Sequence, residues 1–89
     1  MDITYDSRKN EQNIAERGLS FEMVRDFDWA RAVIAADTRK DYGEPRYLAL
    51  GYIGERLHSV AFTPRDGVIR VISLRKANQR ERRRYESQT

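Results

Sequence analysis

The chain has 89 residues, enough for one domain and too few for two, and a domain of this size buries only about 60% of the surface that its unfolded chain exposes. Charged residues make up 35% of the sequence and apolar residues 39%, and this supply of aliphatic and aromatic side chains excludes a disordered segment. We therefore expect a single folded domain, residues 1–89, with a thin core.

The net charge of +3 is unevenly distributed along the chain. Residues 1–62 contain nine Lys or Arg and eleven Asp or Glu, whereas residues 63–89 contain eight basic and three acidic residues. Positive potential is concentrated in the C-terminal third, which favours a nucleic acid or an acidic protein surface as the partner.

The residue types and segments that the sequence lacks indicate the cellular compartment of the protein. Cysteine is absent, so the chain can form neither a disulfide nor a thiolate metal site. The opening residues, MDITYDSRKN, lack the apolar run of a signal peptide, and nowhere do about 18 apolar residues follow one another. These features predict a cytoplasmic protein that does not enter a membrane.

The N-terminal third predicts a short extended run and two helices. Residues 3–5 read as extended, and Asp6 is a suitable N-cap for a polar helix that continues to Arg17 and ends at Gly18. Ser20 is a second N-cap candidate, and apolar residues follow it at helical spacing.

From residue 32 onward the pattern becomes strand-like. The segments AVIAADT, RYLALGYI, LHSVAFT and VIRVISL are separated by turn-forming stretches that contain glycine, which predicts an antiparallel meander of four strands. The last segment, KANQRERRRYE, favours a helix because it has good helix formers and neither Gly nor Pro. The chain is therefore predicted to be α+β.

The hairpin around TPRDG places an arginine on a polar face. If Thr63 pairs with Val68, then Val60 and Phe62 share one face with the apolar residues of the last strand. The other face then carries small and polar residues (Ser59, Ala61 and Thr63) beside Arg70 and Ile72. This floor is a candidate binding site.

Basic side chains near this floor could bind phosphate. Arg65 lies in the turn, Arg70 on the polar face, and Arg75 and Lys76 where the last strand meets the helix. Guanidinium groups bind phosphate through a bidentate fork and stabilise the charge of a pentacovalent transition state. Exposed arginines are also often simply solvated, and that interpretation stays open for each of them.

Two further side chains could move a proton. His58 is the only histidine, but the hairpin register places it on the apolar face, where a structural role is the alternative. Tyr85 could donate a proton, stack on a base, or anchor the final helix. The acidic residues Asp26, Asp28, Asp37, Asp41 and Glu44 lack the spacing of a metal site and read as caps and loop residues.

Three stretches resemble the BrnT toxins of bacterial type II toxin–antitoxin systems, which are relatives of the RelE and ParE toxins. They are YDSRKNEQNIAERGLSFE, YGEPRYLALGYI and VAFTPRDGVIRVISLRKANQRERRRYE. The last is the most specific, because an Ile-Ser-x-Arg-Lys-Ala core followed by a basic helix ending in Arg-Tyr-Glu is hard to reach by chance.

The resemblance implies a RelE-like fold, in which two N-terminal helices pack on a four- to five-stranded antiparallel sheet followed by a C-terminal helix. It also implies a ribosome-inactivating or RNA-cleaving toxin. Together with the arginine cluster, this leads to the hypothesis of an endoribonuclease that cleaves through the RNA 2′-hydroxyl, inhibits translation and uses no metal or other cofactor. The implied partner is a ribbon-helix-helix antitoxin, BrnA-like, that neutralises the toxin in a hetero-oligomer and alone contacts operator DNA.

By motif position, the resemblance assigns catalytic roles to Arg65, Arg70, Arg75 and Tyr85. His58 joins this set because Arg17 and Phe62 occupy positions where many relatives carry histidine. The predicted RNA-binding residues are Lys76, Arg80, Arg82, Arg83 and Arg84.

Two other functions stay open from the sequence. One is a non-catalytic module whose basic C-terminal surface binds an antitoxin or RNA without cleavage. The other is a gyrase-directed toxin, as in the ParE branch.

Overall fold

The computed structural model describes residues 2–89, which form a five-stranded sheet with helical segments on both faces. The strands are β1 (Ile3–Tyr5), β2 (Val33–Ala36), β3 (Tyr47–Ile53), β4 (Arg56–Arg65) and β5 (Val68–Lys76). The α-helices are α1 (Ser7–Arg17) and α2 (Gln79–Gln88), and two 3₁₀ helices, Phe21–Asp26 and Trp29–Arg31, lie between α1 and β2. No helix in this part of the chain is long and apolar enough to cross a membrane.

The sheet is mixed rather than antiparallel throughout, with the strand order β1-β5-β4-β3-β2. The predicted meander is confirmed, because β2 to β5 pair antiparallel in sequence. The run predicted as extended is a fifth strand parallel to β5, with Ile3 opposite Ile69 and Tyr5 opposite Val71. The antiparallel prediction is wrong at this edge because no hairpin joins β1 to β5, and a parallel pair requires a long connection.

Helix α1 begins and ends where the sequence predicts. The Asp6 side chain accepts hydrogen bonds from the backbone N–H groups of Arg8 and Lys9. At the other end Gly18 adopts the left-handed conformation, with φ of 69°, and its N–H donates to the carbonyl of Ile14. Both ends of the helix therefore have partners for their backbone groups.

A buried asparagine fastens α1 to the edge of β5. The Asn13 amide donates to the carbonyls of Leu19 and Leu74, at 2.9 and 3.0 Å, and its oxygen accepts from the Leu74 N–H at 3.4 Å. Because β1 pairs with β5 only as far as Val71, the Asn13 side chain satisfies backbone groups beyond the end of β1. A polar contact thus replaces the apolar stripe that α1 lacks.

The second predicted N-terminal helix is a 3₁₀ helix rather than an α-helix. Ser20 caps Phe21–Asp26 as expected, by accepting from the Glu22 N–H. Phe21, Val24 and Phe27 are three residues apart, and residues at this spacing share one face of a 3₁₀ helix. All three are buried. The apolar spacing that suggested an α-helix therefore belongs to a 3₁₀ helix, which is more tightly wound.

The main apolar cluster lies on one side of the sheet, which we call the core face. It is the side of β3, β4 and β5 that carries Ala49, Val60, Phe62, Val71 and Leu74. The segment that contains the first 3₁₀ helix covers it with Leu19, Phe21, Val24 and Phe27. This packing leaves no space at Gly51, where an added Cβ would lie 2.5 Å from the Phe27 ring.

The hairpin between β4 and β5 closes through a tighter turn than the sequence predicts. Asp66 and Gly67 both have positive φ, 54° and 77°, and form a two-residue turn that pairs Arg65 with Val68. The predicted pairing of Thr63 with Val68 is therefore wrong by two residues. A shift of two leaves the faces unchanged, so Val60 and Phe62 lie on the core face as expected.

Helix α2 is confirmed and lies on the face opposite the core face. It starts with a capping box, in which the Asn78 side chain accepts from the Glu81 N–H and the Glu81 carboxylate accepts from the Asn78 N–H. Tyr85 is its buried anchor and packs against Leu50 and Leu57.

Candidate functional site

The side of the sheet beneath α2, which we call the α2 face, has small and polar residues beyond the helix. Strand alternation places Ser59, Ala61 and Thr63 of β4 there, with Arg75 opposite Ser59 and Arg70 opposite Thr63. Ser59 and Thr63 are buried. The polar floor predicted from the hairpin pattern is confirmed, although a bulge at Ile72 of β5, opposite the Ala61–Phe62 step of β4, takes Ile72 out of the regular alternation.

Arg75 is held by a carboxylate from α2. Its guanidinium donates two hydrogen bonds to Glu81, at 2.7 and 2.8 Å, in the bidentate geometry that arginine also uses for phosphate. These hydrogen bonds raise the pKa of Arg75, and the same contact lowers the pKa of Glu81. Glu81 therefore caps α2 and orients Arg75 at the same time.

Arg65 is held by a carboxylate from the loop between β2 and β3. Its guanidinium donates to Glu44 at 3.0 Å, and the Arg46 Nε lies 3.5 Å from the same carboxylate. The Arg46 guanidinium in turn stacks over the Tyr42 ring at 4.1 Å. The Arg65 side chain is 57% exposed, so part of its fork still faces solvent.

Arg70 differs from the other two arginines. It is half-buried on β5, between Thr63 of β4 and Thr4 of β1. Its side chain forms no hydrogen bond or ion pair with another group in residues 2–89. Its charge is one of the influences that lower the pKa of Asp6, after the hydrogen bond from Lys9. Arg70 is thus the predicted phosphate ligand with its donors free.

Tyr85 anchors α2 and also borders the face. It is 7% exposed, and its ring makes an edge-to-face contact with Tyr52 at 5.6 Å. Its hydroxyl forms no hydrogen bond within the described residues. The anchoring role that the sequence left open is therefore confirmed.

The basic residues of α2 are exposed, and they add positive charge to the surface next to the α2 face. Arg84 lies close enough to Glu81 for its charge to help lower the pKa of that carboxylate, after the larger effect of Arg75. Arg82 lines a shallow pocket with Arg56 at the start of β4. The exposed set is Arg80, Arg82, Arg83 and Arg84.

His58 and Lys76 lie on the opposite side of the sheet from the arginines. They face each other in the register of β4 and β5, and His58 follows the alternation of Val60 on the core face. His58 Nδ1 is 2.8 Å from the Arg56 carbonyl, while Nε2 is buried without a partner. Burial lowers the pKa of His58. This arrangement favours the structural role for His58 that the sequence also left open.

Sequence reasoning missed the acidic residues that organise the face. Glu44 and Asp37 read as loop residues, and Glu81 as one acid within a basic run, yet each holds an arginine. An Asn78-x-x-Glu81 capping box was the one available signal for Glu81. No group of three or more His, Asp or Glu side chains in residues 2–89 is arranged to hold a metal ion.

Comparison with known protein families identifies the family of the chain. A family model described as the ribonuclease toxin BrnT of type II toxin–antitoxin systems matches residues 5–81, from the end of β1 to the first turn of α2. The match includes Arg65, Arg70 and Arg75, and Tyr85 lies beyond it. A search of curated proteins gave no match. The chain belongs to the BrnT family of ribonuclease toxins of type II toxin–antitoxin systems.

Proposed function

We propose that this chain is a metal-independent endoribonuclease toxin whose substrate RNA lies across the α2 face. The observation that supports this most is the placement of Arg65, Arg70 and Arg75 on one side of the sheet around small, polar residues. Several guanidinium groups around one phosphodiester stabilise the extra negative charge of a pentacovalent transition state. The proposal assigns the family's ribonuclease activity to a particular surface.

The proposed reaction uses the RNA's own 2′-hydroxyl. The O2′ atom attacks the adjacent phosphorus and the bond from phosphorus to O5′ breaks, which leaves a 2′,3′-cyclic phosphate and a 5′-hydroxyl. One proton leaves O2′ and one is delivered to O5′, so the net reaction consumes no co-reactant. Arg70 binds the scissile phosphate with its free donors, and Arg65 and Arg75 bind from orientations fixed by Glu44 and Glu81.

Tyr85 is the group that we assign to proton delivery at O5′. Its ring packs on Leu50 and Leu57 of the α2 face, and its hydroxyl has no hydrogen-bond partner in the described residues. The only histidine of the chain lies on the core face, so water accepts the proton from O2′. A site without an imidazole base is expected to be slow near neutral pH and faster as hydroxide becomes available.

A type II toxin implies an antitoxin partner. We propose that this partner is a ribbon-helix-helix protein that covers the α2 face in a hetero-oligomer and thereby neutralises the toxin. The exposed arginines of α2 support this, since one basic surface can bind RNA or an acidic protein segment in turn. Operator DNA is then contacted through the antitoxin, and RNA cleavage accounts for inhibited translation.

A non-catalytic binding module is the second candidate. It is favoured by the ion pairs of Arg65 and Arg75, which already have carboxylate partners, and by the position of His58 away from the arginines. Such a module would bind RNA or antitoxin through the same α2 face. It would show no cleavage products at any pH.

The test is to incubate the purified chain, freed of antitoxin, with a structured RNA in excess EDTA. Arg65→Ala is compared with Arg31→Ala, which removes an equally basic side chain that is 81% exposed and paired with Asp28. We expect wild type and Arg31→Ala to produce fragments with 2′,3′-cyclic phosphate ends, and Arg65→Ala to produce far fewer. RNA that is bound but left intact by wild type would instead support the binding module.

A further inference from the structure

The loop of residues 37–46 begins on the same side of the sheet as the α2 face. Val33 packs with Leu50 on that face, and strand alternation carries the same orientation through Ala35 to Asp37. The Asp37 N–H donates to the Arg46 carbonyl at 2.8 Å, which continues the pairing of β2 and β3 into the loop. The first residues of the loop therefore lie on the same side of the sheet as Arg75.

Asp37 is a buried anchor for this loop. Its carboxylate is only 3% exposed and accepts hydrogen bonds from the Tyr42 hydroxyl at 3.0 Å, from the Arg39 side chain and from the Arg39 N–H. These contacts hold the pKa of Asp37 well below its usual range, with the Arg39 side chain as the largest cause. The carboxylate is thus charged at neutral pH, and both of its oxygens accept hydrogen bonds from Arg39 or Tyr42.

The Arg39 guanidinium is bound to Asp37 along one edge and is otherwise exposed to solvent. Its Nε and one terminal nitrogen each donate to Asp37 at 2.8 Å, yet its side chain is 72% exposed. A guanidinium has five N–H donors, and two are used here, so three have no partner in the described residues. Arg39 is also near enough to Arg75 for its charge to oppose the rise in the pKa of Arg75 that Glu81 causes.

We propose that Arg39 is a further RNA-binding residue, which contacts a backbone phosphate next to the scissile one, and that Asp37 is its positioning residue. The proposal rests on the proposed function, because it requires RNA on the α2 face. A buried carboxylate that orients an exposed guanidinium on the same side of the sheet as Arg75 provides a rigid second phosphate site.

Arg31 offers a matched control for Arg39. Both arginines are exposed and both pair with an aspartate close by in sequence, but the Arg31 contact to Asp28 is a single one at 3.4 Å. Arg31 ends the second 3₁₀ helix, whose Trp29 packs against Phe62 on the core face. The two Ala variants therefore remove the same charge from different faces of the sheet.

The experiment measures the affinity for a short 2′-O-methyl oligoribonucleotide, which binds but cannot be cleaved because its nucleophile is blocked. Titrations at several salt concentrations compare wild type, Arg39→Ala, Arg31→Ala and Arg75→Ala. One phosphate contact fewer is expected to weaken binding about tenfold and to reduce the slope of log affinity against log salt by about 0.7 for Arg39→Ala. Arg31→Ala is expected to retain the wild-type slope.

A second variant tests positioning rather than charge. Asp37→Asn removes one unit of negative charge, so non-specific attraction alone would tighten RNA binding. Positioning by Asp37 predicts weaker binding instead, and the melting temperature of the variant shows whether the loop is still folded. Tighter binding by a folded Asp37→Asn protein would overturn the positioning role.

The outcomes separate this inference from the proposed function. If Arg75→Ala weakens binding while Arg39→Ala behaves like Arg31→Ala, the role of Arg39 is wrong and the α2 face stands. If Arg75→Ala and Arg39→Ala both match Arg31→Ala, RNA does not use the α2 face, and both proposals are wrong. A smaller slope for Arg39→Ala than for Arg31→Ala supports the inference, whether or not Arg75→Ala also has a smaller slope.

Discussion

The two faces of the sheet are built from different kinds of contact. The core face is covered by Leu19, Phe21, Val24 and Phe27, which pack on the apolar side chains of β3, β4 and β5. The α2 face is covered at one end by a single buried residue of α2, Tyr85, and by the ion pair of Arg75 with Glu81. Beyond the helix, the β4 and β5 part of this face carries mostly small, polar and basic residues.

This difference separates stability from the proposed chemistry. Burial of apolar area on the core face supplies most of the free energy of folding, because each buried aliphatic or aromatic side chain contributes about 1.5–3 kcal/mol. On the α2 face, guanidinium groups are kept in place by Asp37, Glu44 and Glu81. Substitutions on one face should therefore change unfolding, and substitutions on the other should change RNA binding and cleavage.

The largest expected effect is on cleavage, from Arg70→Ala. Arg70 has no carboxylate partner in residues 2–89, so its donors are free for the scissile phosphate. Loss of a comparable transition-state donor lowers rates by about 10²–10³-fold. We expect that loss in single-turnover RNA cleavage, with the free energy of unfolding within about 0.5 kcal/mol of wild type. Equal cleavage by both proteins would break the assignment of chemistry to the α2 face.

A substitution on the core face should lower the free energy of unfolding and leave the cleavage rate unchanged. In Gly51→Ala the new methyl group would lie 2.5 Å from the Phe27 ring, so the ring or the strand must shift. Overpacking of this kind costs about 1–3 kcal/mol, which chemical denaturation would measure. We expect the single-turnover cleavage rate of the folded protein to stay at the wild-type value. A large fall in that rate would show that the two faces are coupled.

Glu81→Gln should loosen α2 while leaving its cap in place. Glutamine can fill the same position of a capping box, but it lacks the charge that binds Arg75. A partly exposed ion pair is worth up to about 1 kcal/mol, so we expect faster amide exchange in α2 and a small loss of stability. Unchanged exchange in α2 would mean that Tyr85 alone holds the helix.

The same pair should respond to acid with a definite sign. Arg75 lowers the pKa of Glu81, so its stabilising effect is present above the usual value of 4.5 and is lost as the pH falls through the lower folded value. Glu81→Gln is expected to remove this part of the pH dependence. Unfolding measured between neutral and acidic pH checks the difference.

The smallest effect is expected from His58 and appears only as a dependence on pH. Burial lowers the pKa of His58 below 6.5 in the folded protein. Just below pH 6.5, His58 is therefore protonated to a greater extent in the unfolded chain than in the folded one. This group therefore favours unfolding as the pH falls from 6.5 toward its folded pKa. His58→Gln should flatten the unfolding curve in that window. A wild-type curve already flat there would mean that His58 is protonated in the folded state.

Much of the fold follows from local sequence signals. The caps of α1 at Asp6 and Gly18, the four meander strands and α2 were predictable because alternation and capping act over a few residues. The parallel position of β1 was not, since it depends on contacts with Ile69 and Val71 far along the chain. The hairpin register was missed because Asp66 takes a left-handed conformation that extends β4 through Arg65.

The faces on which the candidate residues lie were predictable, but the contacts that hold them were not. Alternation along β4 and β5 placed Arg70 on the polar face and His58 on the apolar one, as the structure has them. The carboxylate partners were not foreseen, because Glu44 reaches Arg65 across 21 residues. Arg39 was missed because nothing local distinguishes a loop arginine that a buried aspartate holds from one that is only solvated.

The central claim is that RNA lies on the α2 face and not on the core face. The most direct test is methyl NMR during titration with a 2′-O-methyl oligoribonucleotide, because neighbouring residues report on opposite faces. Leu48 and Ala61 point to the α2 face, whereas Ala49 and Val60 point to the core face. We expect the methyl signals of Leu48 and Ala61 to shift and those of Ala49 and Val60 to stay. Shifts confined to Ala49 and Val60 would contradict the account.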